Sequence, residues 1–215
     1  MKNNDIRIDN KSLFTLLIII QIISLWGYRE FVLSPEMVSS LYSDLGYNTN
    51  QIQKYLSFAE KISLISFILL PLWTLLKIII TALFIQMFFI IQHQEIPLNK
   101  CIFAAGIATF ALLSERIAQY IGIFLLKPEN INQYALNTMP LSLQSFLEYE
   151  LYPAYLWNLF GKINIFAILW IALLATIMTK LKFDTFSNTL LLSFGLWSLT
   201  YISTWGFLSI IYQIT

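Results

Sequence analysis

The chain has 215 residues, 58% hydrophobic and 12% charged, with a net charge of +1. A soluble domain carries about a quarter charged residues, so this balance belongs to the membrane class, and the near-zero net charge gives no basis for binding nucleic acid. The single cysteine, Cys101, excludes an intrachain disulfide and a multi-thiolate metal site, and the single histidine, His93, argues against a histidine metal centre or a Ser-His-Asp triad.

Lys2, Arg7 and Lys11 precede an apolar run from Leu13 to Trp26. Gly27-Tyr28-Arg29-Glu30 follows in place of a small-x-small cleavage site, so the run reads as an uncleaved signal anchor. A first membrane helix is expected over about 13–28, with Gln21 and Ser24 turned towards protein. The connection 29–57 carries signals of its own. Ser34-Pro35-Glu36 supplies an N-cap, an N1 proline and a first-turn acid, and Gly46 marks a stop. Met37, Val38, Leu41, Tyr42 and Leu45 recur at helical spacing between them, which fits a surface amphipathic helix over 35–45 or an ordinary capped loop helix.

The second apolar segment, 62–92, is about 46 Å long as a helix, more than the hydrocarbon core needs, with Pro71 as its expected kink. Lys77 lies at its centre, with Thr74 and Thr81 on the same face. It is either buried there or, if only 72–92 is embedded, near one edge and able to snorkel. The short connection His93–Lys100 holds Pro97, so segments two and three form a tight hairpin.

Segment three, 101–126, carries the most informative residues. Glu115 and Arg116 interrupt an otherwise apolar run long enough to cross a bilayer. Each charge costs at least about 2.5 kcal/mol at depth and must be answered by the other, by a neighbouring helix or by a wet cavity. Glu115 pairs with Gln119, and Arg116 with Tyr120, at i,i+4. Ala104 and Ala108, and Ala118 and Gly122, form small-xxx-small pairs suited to close helix contact.

The connection 127–162 has Ser142 placed to cap a short helix through about Glu150, and Pro153 placed to start another. Its aromatics, among them Phe146, Tyr149, Trp157 and Phe160, fit an interfacial belt better than a substrate platform. Segments four (163–179) and five (190–212) contain no charge, and Lys180, Lys182 and Asp184 mark the turn between them. The expected architecture is all-α, a single membrane domain of five transmembrane helices with short interfacial helices in the two outer connections. Lys2, Arg7, Lys11, Lys100, Lys180 and Lys182 lie in the short inner pieces if the N-terminus is cytoplasmic and the C-terminus outside, which is the expected orientation.

From Leu72 onwards the layout resembles the Yip-domain family of five-helix membrane proteins. The resemblance rests on the close pair LWTLLKIIITALFIQMFF and CIFAAGIATFALL, and on LWNLFGKINIFAILWIALLATIMTK, which is similar to the family's entry to helix four through Ile165, Phe166 and Trp170. The following basic turn and LLLSFGLW continue it, and NQYALNTMPLSLQSF resembles a stretch of bacterial relatives. The resemblance implies a five-helix bundle, and a bacterial inner-membrane location is expected. It does not carry over binding to Rab-type GTPases, because eukaryotic members have a long cytosolic N-terminal region and only about a dozen residues precede segment one here.

No phosphate loop, dinucleotide fingerprint, zinc-protease helix or nucleophile elbow is present. His93-Gln94-Glu95 does not place two ligands on one helix face, and Ser114-Glu115-Arg116 has no second base. No metal and no cofactor is expected. Lys77, Glu115, Arg116 and Gln119 form the candidate site, an intramembrane charge network that either orients helices or lines a path for an anion or proton. The leading expectation is a non-enzymatic scaffold, assembly factor or accessory subunit, whose small-residue stripes on helices three and five meet other membrane proteins or a second copy. The alternative is a transport component for an ion, small molecule or lipid. An intramembrane enzyme acting on lipid is the weakest reading.

Overall fold

The computed structural model describes residues 9–31, 39, 46–125 and 138–214, with side chains of the last helix described as far as Ser203. Regular structure among them is helical, apart from one isolated antiparallel bridge between Ser142 and Asn164.

Helix α1 spans Asn10–Phe31 and starts at Asp9, whose carboxylate accepts from the backbone N–H groups of Lys11 and Ser12. Helix α2 spans Thr49–Ile91, 43 residues and about 64 Å. It begins upstream of the expected apolar start at 62, because Asn48 and Gln51 form a reciprocal capping box. The polar stretch that follows contains no glycine or proline to stop the helix. Pro71 lies inside the helix, which continues unbroken through it. Helix α3, Leu98–Phe124, returns after a short turn in which His93 takes φ 59°.

Beyond residue 137 come two 3₁₀ turns, Leu143–Phe146 and Tyr149–Leu151, then α4 (Ala154–Lys162), α5 (Ile165–Lys180) and α6 (Phe186–Ile214). The expected helix from Ser142 to Glu150 is thus two short turns, the first of them capped by Ser142, and Pro153 does start a helix. The amphipathic segment expected over 35–45 falls, apart from Ser39, outside the described residues, as do residues 127–137 of the second connection.

Helix α3 is the centre of the packing. It lies against α1, α2 and α5, while α5 packs on α6. Its Ala104, Ala105, Ala108 and Ala111 are buried against Ile78, Ala82, Ile85 and Phe89 of α2 and against Leu174 and Met178 of α5. Small residues let these backbones approach closely. Gly106 lies where α1 crosses, and a Cβ there would stand 2.6 Å from Leu13 Cδ2. The Ala104/Ala108 stripe is therefore consumed inside the bundle and offers no surface to a partner. Phe89 meets Phe183 edge-on at 5.5 Å, and Thr179 and Thr189 bond across the α5–α6 turn at 2.8 Å.

Among the described residues three helices are long and apolar enough to cross a membrane: Asn10–Glu30, Leu64–Ile91 and Leu98–Phe124. Large apolar side chains such as Leu64, Ile68, Leu72, Ile91 and Leu191 point outward from the bundle, as suits a hydrocarbon solvent. Helix α5 is apolar but has only 16 residues.

Candidate functional site

Glu115 lies on the α5-facing side of α3 and is buried, with 9% of its surface exposed. Its hydrogen-bond donor is an amide: Asn164 Nδ2 donates to Glu115 Oε1 at 3.0 Å. The same Nδ2 donates to the carbonyl of Gly161 at 2.8 Å, and Asn164 Oδ1 accepts from Ala167 N at 2.8 Å. Asn164 is therefore the N-cap of α5 and the link from α5 to the carboxylate of α3. Its side chain is 4% exposed, so each of these bonds is made away from water.

A second buried group secures Asn164 from behind. Leu143 N donates to Ile163 O at 2.9 Å, and Ile165 N to Leu141 O at 3.2 Å, pairing the 3₁₀ region with the α4–α5 junction. Gln144 Nε2 donates to Trp157 O at 2.7 Å, and Gln144 Oε1 accepts from Met139 N at 2.6 Å. Ser142 Oγ donates to Met139 O at 2.6 Å. The connection before α5 is thus a small hydrogen-bonded block.

Arg116 and Gln119 are half-buried, and Lys77 is exposed, although its neighbour Ile78 is in the core. Lys77 Nζ lies 5.6 Å from the ring centroid of Trp73, one turn before it. Lys77, Arg116 and Lys162 act on the Glu115 carboxylate through their charge, Lys162 most strongly, whereas Asn164 acts through a hydrogen bond. The four charges share a level. Counting along the helices from the His93 turn, Lys77 is about 21 Å up α2 and Glu115 about 25 Å up α3. The Asn164 bond brings Lys162 to the same height.

Two further features lie nearby. Gln21 of α1, 3% exposed, donates to Thr74 Oγ1 of α2 at 2.8 Å, so its expected protein-facing role is the one observed. Tyr28 stacks on Tyr120 at 4.3 Å beside an apolar groove of about 410 Å³ between α1 and α3, lined by Ile20, Ser24, Gly27, Ile117 and Phe124. Among the described residues no group of three or more His, Cys, Asp or Glu side chains is placed to hold a metal ion.

Sequence reasoning missed Asn164, Lys162 and Gln144. Asn164 carried a readable signal, an amide directly before the apolar run of α5, which is an N-cap pattern. Gln144 carried none. Comparison with family profiles, characterised proteins and solved structures finds no match.

Proposed function

We propose that the chain is a five-helix, Yip-like integral membrane protein acting as a non-enzymatic scaffold, assembly factor or accessory subunit of a membrane complex. The observation that carries this reading is the bond from Asn164 to Glu115. An intramembrane carboxylate is functional by default, but this one is engaged by the residue that caps α5. It serves to hold α5 against α3. Five crossings follow if α5 and α6, both apolar, join the three long helices in the bilayer. The short basic pieces Lys100, Lys180 and Lys182 then favour a cytoplasmic N-terminus and an outer C-terminus in a bacterial inner membrane.

With the Ala104/Ala108 stripe buried, one face open to another membrane protein or a second copy is on α6. Gly195 is exposed there with open space at its Cβ position, between the outward-facing Leu191 and Leu199. A photo-crosslinking residue placed at Leu191 in native membranes is expected to give one discrete adduct, either a dimer of this chain or a single other membrane protein. No discrete adduct, together with a vesicle solute or proton flux abolished by Glu115→Gln, would instead support the transport reading.

A further inference from the structure

Helix α5 does not cross a bilayer by itself. Its 16 residues span about 24 Å, against a hydrocarbon core of roughly 30 Å. Lys100, Lys180 and Lys182 mark one edge of that core, beside the turn where Phe183 meets Phe89. Counted from Cys101, Glu115 stands about 21 Å up α3, and the Asn164 bond sets the start of α5 at the same height. About 9 Å of hydrocarbon therefore remains above Asn164. The long helices agree. Above this level Leu72 of α2 and Ile121 and Phe124 of α3 are apolar and more than half exposed.

Beside the first turn of α5, at that height, lies a non-helical stretch of chain. The bonds from Leu143 N to Ile163 O and from Ile165 N to Leu141 O hold residues 141–143 level with Asn164. Side chains alternate along it as on a strand. Leu141 and Leu143 point outward, 63% and 37% exposed, whereas Ser142 and Gln144 are buried. The buried pair spends its polar atoms on the backbone of Met139 and Trp157. A loop in water shows the reverse pattern, polar side chains outward and apolar ones inward. Leu141 also holds φ 57°, a left-handed conformation that ordinarily falls to Gly or Asn, yet the side chain it carries is a large exposed hydrocarbon. Non-helical backbone at membrane depth is tolerated where its polar groups are satisfied within the protein, as these are.

We propose that residues 141–144 form a re-entrant element, lying inside the leaflet remote from the His93 turn and meeting lipid acyl chains through Leu141 and Leu143. The element completes the crossing that α5 leaves short. Its apolar side continues directly into the outward face of α5, where Ile163, Ile165 and Ile168 are 41%, 54% and 66% exposed. That continuity makes bilayer hydrocarbon the occupant of the patch. Lys162, exposed at the same height, reaches the headgroups along its own apolar stem. This placement rests on the membrane embedding of the chain and not on the scaffold role, so cross-linking through α6 is independent of it.

The test uses the full chain with Cys101→Ala, reconstituted into phosphatidylcholine–phosphatidylglycerol vesicles and carrying one nitroxide at a time. Leu141→Cys, Leu143→Cys and Ile165→Cys report the element and the start of α5, and all three positions are exposed. Leu83→Cys, exposed midway along the embedded part of α2, is the hydrocarbon reference, and Gln94→Cys in the α2–α3 turn is the aqueous one. Depth is read from relaxation by oxygen against relaxation by a water-soluble nickel chelate, calibrated with lipids labelled along the acyl chain. Labels at 141, 143 and 165 are expected at one common depth, about 9 Å inside the edge of the hydrocarbon core. Labels at 141 and 143 lying at or outside that edge, with 165 inside it, would mean that the chain leaves the membrane at Asn164, and would overturn the proposal. All three outside the edge overturns it as well, while a Leu83 label still in hydrocarbon would leave the membrane embedding intact.

Discussion

Asn164 Nδ2 and Glu115 Oε1 stand 3.0 Å apart, joining the first turn of α5 to the upper half of α3. The bond explains how a carboxylate is tolerated at this depth without a cation at hydrogen-bond distance among the described residues. Glu115 receives a neutral donor that is itself anchored to Gly161 and Ala167, and the cations act on it only through their fields. Glu115→Gln retains an acceptor oxygen for Asn164 and is expected to cost little folded yield. Glu115→Leu removes that acceptor and should cost more, as seen by size-exclusion chromatography of the detergent-solubilised protein.

Gly161 is sterically required. A Cβ at this position would stand 3.0 Å from three atoms of the Gln144 side chain, which is bonded at both ends and cannot give way. Gly161→Ala should lower the thermal midpoint by an amount corresponding to about 1–3 kcal/mol. Gly122→Ala, which meets nothing within 4 Å inside α3, should not lower it and should raise it slightly through helix propensity. Equal midpoints for the two variants would contradict the packing of the connection on α4.

Lys77 is exposed on α2, so its removal leaves no charge stranded in the core. Lys77→Met is expected to keep wild-type yield and thermal midpoint, within about 0.5 kcal/mol. In a double-mutant cycle with Glu115→Gln it should show coupling near zero. A strong coupling would place Lys77 in the internal network.

Cys101 is fully buried among the α2, α3 and α5 side chains. An impermeant thiol reagent should therefore leave it unlabelled from either face, and label it only after denaturation. Orientation is better read from Gln94→Cys in a Cys101→Ala background, since Gln94 is exposed in the α2–α3 turn. With the N-terminus cytoplasmic, that thiol should react only when the inner face is open to reagent. Labelling from the outer face of intact cells would reverse the orientation.

What the sequence made legible is mostly what depends on continuous apolar length. The hairpin of segments two and three, the close-contact small residues of segment three and the starts at Ser142 and Pro153 all come from local composition and breakers. Three of the apolar runs stand as helices long enough to cross a membrane. The upstream extension of α2 escaped notice because it depends on the Asn48–Gln51 capping box rather than on hydrophobicity. Around Glu115 the obvious partner was Arg116, yet adjacent helical side chains diverge by about 100°. The donor actually used is Asn164, far along the chain, and its proximity follows from the antiparallel packing of α5 on α3. No local spacing reports such a pair. The fate of the small residues on α3 was equally hidden, because the same pattern serves internal packing and external association.

The central claim, that Glu115 is a structural tie made through Asn164, is tested most directly by a double-mutant cycle of Glu115→Ala and Asn164→Ala. Stability would be measured by reversible denaturation in detergent micelles. Asn164→Ala alone removes the α5 cap and the donor to Glu115, and should cost about 2–4 kcal/mol. The two changes together should cost less than the sum of the singles, with an interaction energy of about 1–2 kcal/mol. Additive losses, with no measurable coupling between the two positions, would contradict the account.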